Sequence, residues 1–318
     1  MFHPLRLRAM RETQAQTVQV PPLSDDLAFL DIVTDWDIAS GYHRWKASIV
    51  VPGTFRPTPD LPRVLVVANQ KGGVGKTLTA FELAMAFAVR GLRVRLVDGD
   101  PQYASLTEWL PILYPKDLPT DQRHSLTDVY FDRCTLKEAT YPTIYQNVLL
   151  VPSFPDLATV ENERPTGYET CLRFHLWEEA DDVDVTIIDS GPSLGSLTVS
   201  SLVAARDVLV PVQAASGLDV MGAAALNQTM RTVTARMNRG LRVAAVFLTD
   251  FERSKLSRKI GAEMAKAFPE ALIVPARTCV EVGNAQLNKQ ALRHYTPDAT
   301  TVLDYDRAAG ILLNGVSR

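Results

Sequence analysis

Cysteine is scarce in this chain. There are three in 318 residues, Cys134, Cys171 and Cys279. They lie far apart and form no C-x-x-C pair, so reduced thiols are expected rather than a disulfide framework or a metal site. Long hydrophobic runs are also missing: none approaches the ~20 residues of a membrane span. The first eight residues carry basic groups but no apolar stretch follows them, so no secretory signal is expected. No excess of one charge sign stands out either. A formal net charge of −3 is not that of a protein coated in positive charge, and any nucleic-acid contact has to come from a local patch. Internal repeats and low-complexity tracts are absent. What remains, 46% apolar and 22% charged residues, is an ordinary globular composition at a length that holds one large α/β domain or two small ones.

Residues 1–62 read differently from the rest. Prolines at 4, 21, 22, 52, 57, 59 and 62 punctuate them, and the only helical pattern is at 24–33, with Ser24 as N-cap and Asp25 and Asp26 in the first turn. Trp36, Tyr42 and Trp45 are large apolar groups that seldom belong to a disordered tail. This region is expected to be an extension packed on the core or on a partner subunit, with 57–62 as the linker into a single domain over 63–318.

From residue 63 the pattern alternates. Continuous apolar strands are predicted at 64–68, 94–98, 147–152, 184–189, 207–212, 242–249 and 272–275. Helices are predicted at 76–90, 193–205, 217–237, 254–268 and 297–312, with short ones near 125–130 and 136–139. Near-continuous apolar strands alternating with helices imply an α/β, doubly wound, mostly parallel sheet covered on both faces.

The richest stretch is Asn69-Gln70-Lys71-Gly72-Gly73-Val74-Gly75-Lys76-Thr77, which leaves an apolar strand and opens a helix. Its end is a phosphate-binding P-loop. Small residues let the backbone N–H groups of Gly72 to Leu78 close on phosphate oxygens, Lys76 reaches the β/γ-phosphates, and the Thr77 hydroxyl can hold Mg²⁺. Its start departs from the ordinary pattern: Gln70 replaces the first glycine and an extra lysine stands at Lys71. Three carboxylates accompany the loop. Asp98 and Asp100 end the second strand, and alternation puts them on one side. There they can orient a water or reach Mg²⁺. Asp189 follows four apolar strand residues, the Walker B arrangement of a magnesium-site carboxylate.

In order, Lys-Gly-Gly-Val-Gly-Lys-Thr, Val-Asp-Gly-Asp-Pro-Gln, Ile-Ile-Asp-Ser-Gly-Pro-Ser and Val-Pro-Val-Gln resemble the motifs of ParA-type partition ATPases. These belong to the deviant-Walker group that also contains MinD. The resemblance covers roughly residues 63–315 and implies ATP and Mg²⁺ as cofactors and an ATP-dependent homodimer. It implies that Lys71 crosses to the nucleotide of the other subunit, and that Lys76 and Thr77 serve phosphate and metal. By the same resemblance Asp100 positions the attacking water, Asp189 is the Walker B residue, and Pro211 and Gln213 lie on the adenine side. Two departures stand out. Ser190-Gly191-Pro192 follows Asp189 where Ala-Pro-Pro is usual, which predicts a more flexible switch loop, and Gly99 replaces a larger apolar residue, with a minor effect expected. The resemblance further implies non-specific DNA binding late in the chain, where Arg253, Lys255, Arg258, Lys259, Arg277 and Arg293 are the candidate contacts. It implies a ParB-like or other cargo adaptor that stimulates hydrolysis, and a cytoplasmic, nucleoid-associated location.

Other members suggest alternatives. A nitrogenase-type iron protein needs a cysteine soon after the Walker B strand, and none lies between Asp189 and Val212. A MinD-type membrane-positioning ATPase needs a basic amphipathic tail, whereas residues 308–318 carry one basic residue and two glycines. An operator-binding repressor would read DNA through residues 1–62, which offer one helix and no clear recognition helix.

Overall fold

In the computed structural model the described residues are 49–56, 63–102, 105–177, 182–215 and 219–314. The helix expected at 24–33, the aromatic residues Trp36, Tyr42 and Trp45, the 57–62 linker and the last four residues lie outside them.

Eight strands form one sheet: β1 (Arg63–Val67), β2 (Val94–Gly99), β3 (Tyr141–Pro142), β4 (Val148–Val151), β5 (Val185–Ser190), β6 (Asp207–Gln213), β7 (Arg242–Phe251) and β8 (Leu272–Arg277). Their order is β3-β4-β2-β5-β1-β6-β7-β8. All neighbours run parallel except β3, which pairs antiparallel with β4 at one edge. The seven strands expected from sequence are present within two residues at each end. The eighth, β3, has two residues and too little pattern to be read. On one face lie α1 (Lys76–Val89) and the C-terminal α11 (Thr300–Asn314). On the other lie α5 (Tyr168–Trp177), α6 (Ser196–Ala204), α7 (Asp219–Arg236) and α8 (Lys255–Ala267). The expected short helix at 136–139 is a turn; the ten-residue α5 was not anticipated, nor were the short helices α2 (Ser105–Trp109), α4 (Ala158–Glu163), α9 (Val282–Leu287) and α10 (Leu292–Tyr295). These short helices carry too few turns for a period to show. The remaining short helix is α3 (Leu126–Tyr130).

The order places β1 at the centre with β5 and β6 on either side. Chain winding reverses there, and the C-terminal ends of these strands open the crevice where doubly wound sheets bind ligands. The P-loop leaves β1 at that point.

Residues 49–56, on the N-terminal side of the boundary expected at 62, pack on the core. Val50 forms an antiparallel bridge to Ile273, with N–H···O distances of 2.9 and 3.0 Å in the two directions. Ile49, Val50, Val51 and Phe55 are all buried in the two core clusters. The segment covers the outer edge of β8, whose unpaired backbone groups would otherwise invite intermolecular pairing. Burying each apolar side chain of this size is worth about 1.5–3 kcal/mol. Truncation through residue 60 is therefore expected to cost on the order of 5 kcal/mol, whereas truncation after residue 48 removes none of these contacts. Denaturant unfolding of the two truncated chains checks this: equal midpoints would mean the edge segment contributes nothing.

A buried charged cluster joins α1 to the C-terminal helices. Glu82 is completely buried and accepts the Leu292 N–H at 2.9 Å, with the Arg293 Nε 3.7 Å away. Arg293 in turn donates to Asp306 at 3.0 Å. Desolvation pushes the Glu82 carboxyl from 4.5 up to about 7, with Arg293 pulling the other way. The folded chain thus binds the proton more tightly than the unfolded one. The associated stability is complete below about pH 4.5 and is lost as the pH rises to about 7, an effect of about 3 kcal/mol at ~1.4 kcal/mol per unit. Glu82→Gln keeps the acceptor but does not titrate. Its unfolding free energy is expected to vary less with pH between 4.5 and 7 than that of the parent, measured by urea titration across that range.

Candidate nucleotide site

The loop after β1 is shaped by two glycines in the left-handed region, Gly73 at φ 74° and Gly75 at φ 84°. A Cβ on Gly75 would stand 3.1 Å from the Thr249 methyl, so strain and space both favour glycine there. Four hydrogen bonds brace the loop. Asn69 donates from Nδ2 to the Pro211 carbonyl at 2.6 Å and accepts the Lys71 N–H at 3.2 Å. The Thr249 hydroxyl, at the C-terminal end of β7, donates to the Val74 carbonyl at 2.9 Å. The Lys76 ammonium turns back across the loop and donates to the Lys71 carbonyl at 2.8 Å. Around Gly72 and Gly73 a Cβ would meet nothing within 4 Å, so the loop's outer rim is open.

The carboxylates converge from two adjacent strands. In the register of β2 and β5, Asp98 pairs with Asp189 and Gly99 with Ser190. Asp189 is 1% exposed, and neither of its oxygens makes a well-formed hydrogen bond. Burial drives its pKa well up and the neighbouring Asp98 adds to this, while the Thr77 hydroxyl and the Lys76 charge favour the ionised form. Burial also lowers the pKa of Lys76, against the pull of Asp189 and Asp100. A buried carboxylate this poorly satisfied, beside a threonine hydroxyl at a helix start, fits a hydrated divalent cation.

Asp100 lines the cleft, with Oδ1 accepting the Gln102 N–H at 2.9 Å. Asp98 is differently placed. Its Oδ2 accepts both the N–H and the hydroxyl of Thr107, at 2.8 and 2.6 Å, and its Oδ1 accepts the Asp100 N–H at 3.3 Å. Burial pushes its pKa up to about 6 against these bonds. Both oxygens thus help to hold α2 and the turn to Asp100.

Both departures in the motifs have a steric reason. A Cβ on Gly99 would lie 2.9 Å from the Asp189 carbonyl oxygen, closer than real contacts allow. Gly99 is what lets β2 and β5 bring their aspartates together, so its effect is not minor. A Cβ on Gly191 would stand 3.2 Å from both Asp100 Oδ1 and Pro101 Cδ. The glycine anticipated as a flexible switch residue is a point of close approach to Asp100.

Above these groups opens a cleft of about 350 Å³, lined by the P-loop from Gly72 to Leu78 and by Asp100, Pro192, Thr249, Asp250, Cys279 and Tyr305 among others. That volume suits a small ligand. Pro211 and Gln213 do not line it. Pro211 is buried and spends its carbonyl on Asn69, and Gln213 donates to Asp250 Oδ2 at 2.9 Å. Thr249 and Asp250 were missed, although their place at a strand's C-terminal end beside the winding reversal is where such groups gather.

The six basic candidates do not form one set. Arg253, Lys255 and Lys259 are exposed at the start of α8, and Arg258 is half-buried with its Nε on the Ser254 carbonyl at 3.3 Å. Arg277 instead clamps the fully buried Asp304, with Nη2 to Oδ1 at 2.6 Å and Nε to Oδ2 at 2.9 Å. Arg293 is 9% exposed and committed to Glu82 and Asp306. Both are committed to buried acids, Arg277 while also lining the nucleotide cleft, and the exposed candidates lie at α8 and its approach.

A parallel doubly wound sheet, a glycine loop opening a helix beside it and carboxylates on the neighbouring strands define a P-loop nucleotide-binding protein. A family model described as an AAA domain matches residues 62–243. The chromosome-partitioning ATPase Soj of Thermus thermophilus is 33% identical over 78% of this chain and 94% of its own length. The sporulation initiation inhibitor protein Soj of Bacillus subtilis is 31% identical over 80% of this chain and 99% of its own. A solved structure described as cobyrinic acid a,c-diamide synthase from Mycobacterium smegmatis, with bound ATP analogue and magnesium, is 31% identical. It superposes with a TM-score of 0.62 over 79% of this chain and 93% of its own. The chain belongs to the ParA/Soj family of partition ATPases. Among the described residues no helix is long and apolar enough to cross a membrane.

Proposed function

We propose that this protein is a Mg²⁺-dependent ATPase that dimerises on ATP, binds DNA without sequence preference and positions a plasmid, chromosome or other cargo. The observation that carries this reading is the convergence of Lys76, Asp100 and the poorly satisfied Asp189 at a P-loop that bears the additional Lys71. Lys76 is the phosphate lysine and Thr77 with Asp189 the metal pair. Mg²⁺, when bound, neutralises charge on the β- and γ-phosphates. Asp100 orients the attacking water from its hydrogen-bonded seat above Asp98. Lys71, half-exposed at the loop's outer rim, is the group a second subunit would use, so that positive charge at the leaving phosphate depends on the dimer. In the dimer the α8 starts of both subunits would supply the DNA patch, by phosphate contacts that weaken steeply with salt. The partner would be a ParB-like or other adaptor that stimulates hydrolysis, and the location the nucleoid.

The test is DNA retention with ATP, with ADP and without nucleotide. Retention is expected only with ATP and to fall as salt rises; equal retention in all three states would sink the mechanism. Operator binding through residues 1–62 is a separate reading. It is tested by truncation after residue 48, not through 60, because the longer cut removes core residues.

A further inference from the structure

The Val-Pro-Val-Gln stretch at the end of β6 lies outside the cleft lining, yet its proline holds the start of the P-loop. β1 and β6 run parallel, and at the end of their ladder the Ala68 N–H donates to the Leu209 carbonyl at 3.1 Å. Evenly spaced parallel rungs would put the next bond from the Gln70 N–H to the Pro211 carbonyl. The Asn69 side chain takes that acceptor instead, with Nδ2 donating at 2.6 Å. Its Oδ1 accepts the Lys71 N–H at 3.2 Å, closing an Asx turn. Asn69 is buried, so bulk water does not compete for either bond. A side chain thus carries the last rung, and the main chain turns away from the sheet toward Lys71.

Both polar groups of the Lys71 backbone are held, the N–H by Asn69 and the carbonyl by the Lys76 ammonium at 2.8 Å. The two holds differ in permanence. A P-loop lysine that reaches the β- and γ-phosphates gives up its bond to a loop carbonyl. The Asn69 bonds are anchored on β6 and do not depend on Lys76. We propose that Asn69 is a positioning residue for Lys71: from the Pro211 carbonyl it fixes where the loop presents this lysine once Lys76 has turned to phosphate. The inference rests on the reading of Lys71 as the lysine that a second subunit uses. Asparagine suits the task because one side chain must donate to a carbonyl and accept from an N–H. Aspartate has no donor for Pro211, and serine brings a single oxygen on a shorter stem.

The experiment is a cycle of Asn69→Ala, Lys71→Ala and the double variant in the full-length protein. It is read by turnover at saturating ATP, nucleotide affinity and molecular mass in ATP. Each single variant is expected to slow turnover by about tenfold to a hundredfold, the cost of a misplaced group, and to weaken the ATP dimer. Nucleotide affinity should stay within about tenfold of the parent's. The double variant is expected to match Lys71→Ala alone, because a residue that acts through Lys71 then has nothing to position. Without nucleotide, Asn69→Ala should quicken amide exchange over residues 69–73 while a cooperative melting transition is kept. If that transition is lost, the cycle is read on Asn69→Ser, which keeps a weaker form of the turn bond. Turnover at the parent's rate in the Asn69 variant would overturn the inference. So would an equal loss with Lys71 and with Ala at that position, which would make Asn69 a brace of the phosphate loop as a whole. A Lys71→Ala variant with the parent's turnover and dimer would instead overturn the reading of Lys71, and the inference with it.

Discussion

Lys76→Ala is expected to reduce ATP turnover by at least about a hundredfold, the cost of removing one preorganised donor from developing negative charge. DNA retention with ATP should fall to the level seen without nucleotide. The prediction is sharp because the same change should not harm the fold. Among the described residues the Lys76 ammonium makes a single hydrogen bond, 2.8 Å to the Lys71 carbonyl, and burial already works against its charge. Thermal unfolding of the variant without nucleotide should match the parent within a few degrees, while the gain in melting temperature that Mg·ATP gives the parent should vanish. Loss of retention together with loss of the nucleotide-free melting transition would assign Lys76 a structural role instead. Unchanged retention would remove the nucleotide from DNA binding altogether.

How much of this was legible beforehand depended on whether a feature was local. The strand at 64–68 followed by the loop to Thr77 is a continuous pattern, so β1, the P-loop and α1 could be placed within a residue. The role of Asp98 was not local. Its partner Thr107 lies nine residues on, in a helix of one turn, and only the folded packing shows that contact. Arg277 and Arg293 misled in the same way: in sequence they look like part of a basic run, yet their acceptors Asp304, Glu82 and Asp306 come from distant helices. Charge in a sequence becomes a surface patch only when no buried acid claims it. Gly99 and Gly191 gave the opposite error. Their composition suggested looseness, but the need for glycine arises across strands, from the Asp189 carbonyl and the Asp100 carboxylate. Edge coverage by Ile49 to Val51 was hidden by the prolines around it, which read as linker.

Asp100→Ala should separate hydrolysis from the binding that precedes it. Asp100 is nearly buried, yet it lines the cleft, and its seat is built by others. Asp98 receives its N–H, the Gln102 N–H fixes Oδ1, and Gly191 leaves room beside it. That arrangement holds a carboxylate in one place, as a water-orienting group needs; being negative, the carboxylate is not suited to binding phosphate. Removing it is expected to slow turnover by about a hundredfold to ten-thousandfold, the usual contribution of a positioned proton acceptor. Nucleotide affinity should change by less than about tenfold, 1.4 kcal/mol, since Lys76, Thr77 and the loop N–H groups remain. With hydrolysis slowed, the ATP-bound dimer should persist and DNA retention should outlast that of the parent. Single-turnover hydrolysis, nucleotide affinity and molecular mass in ATP, measured on one preparation, give the three readouts. Slow turnover with a lasting dimer assigns Asp100 to the water. Loss of affinity would mean that its seat exists to shape the P-loop side of the cleft, and that the water is held elsewhere.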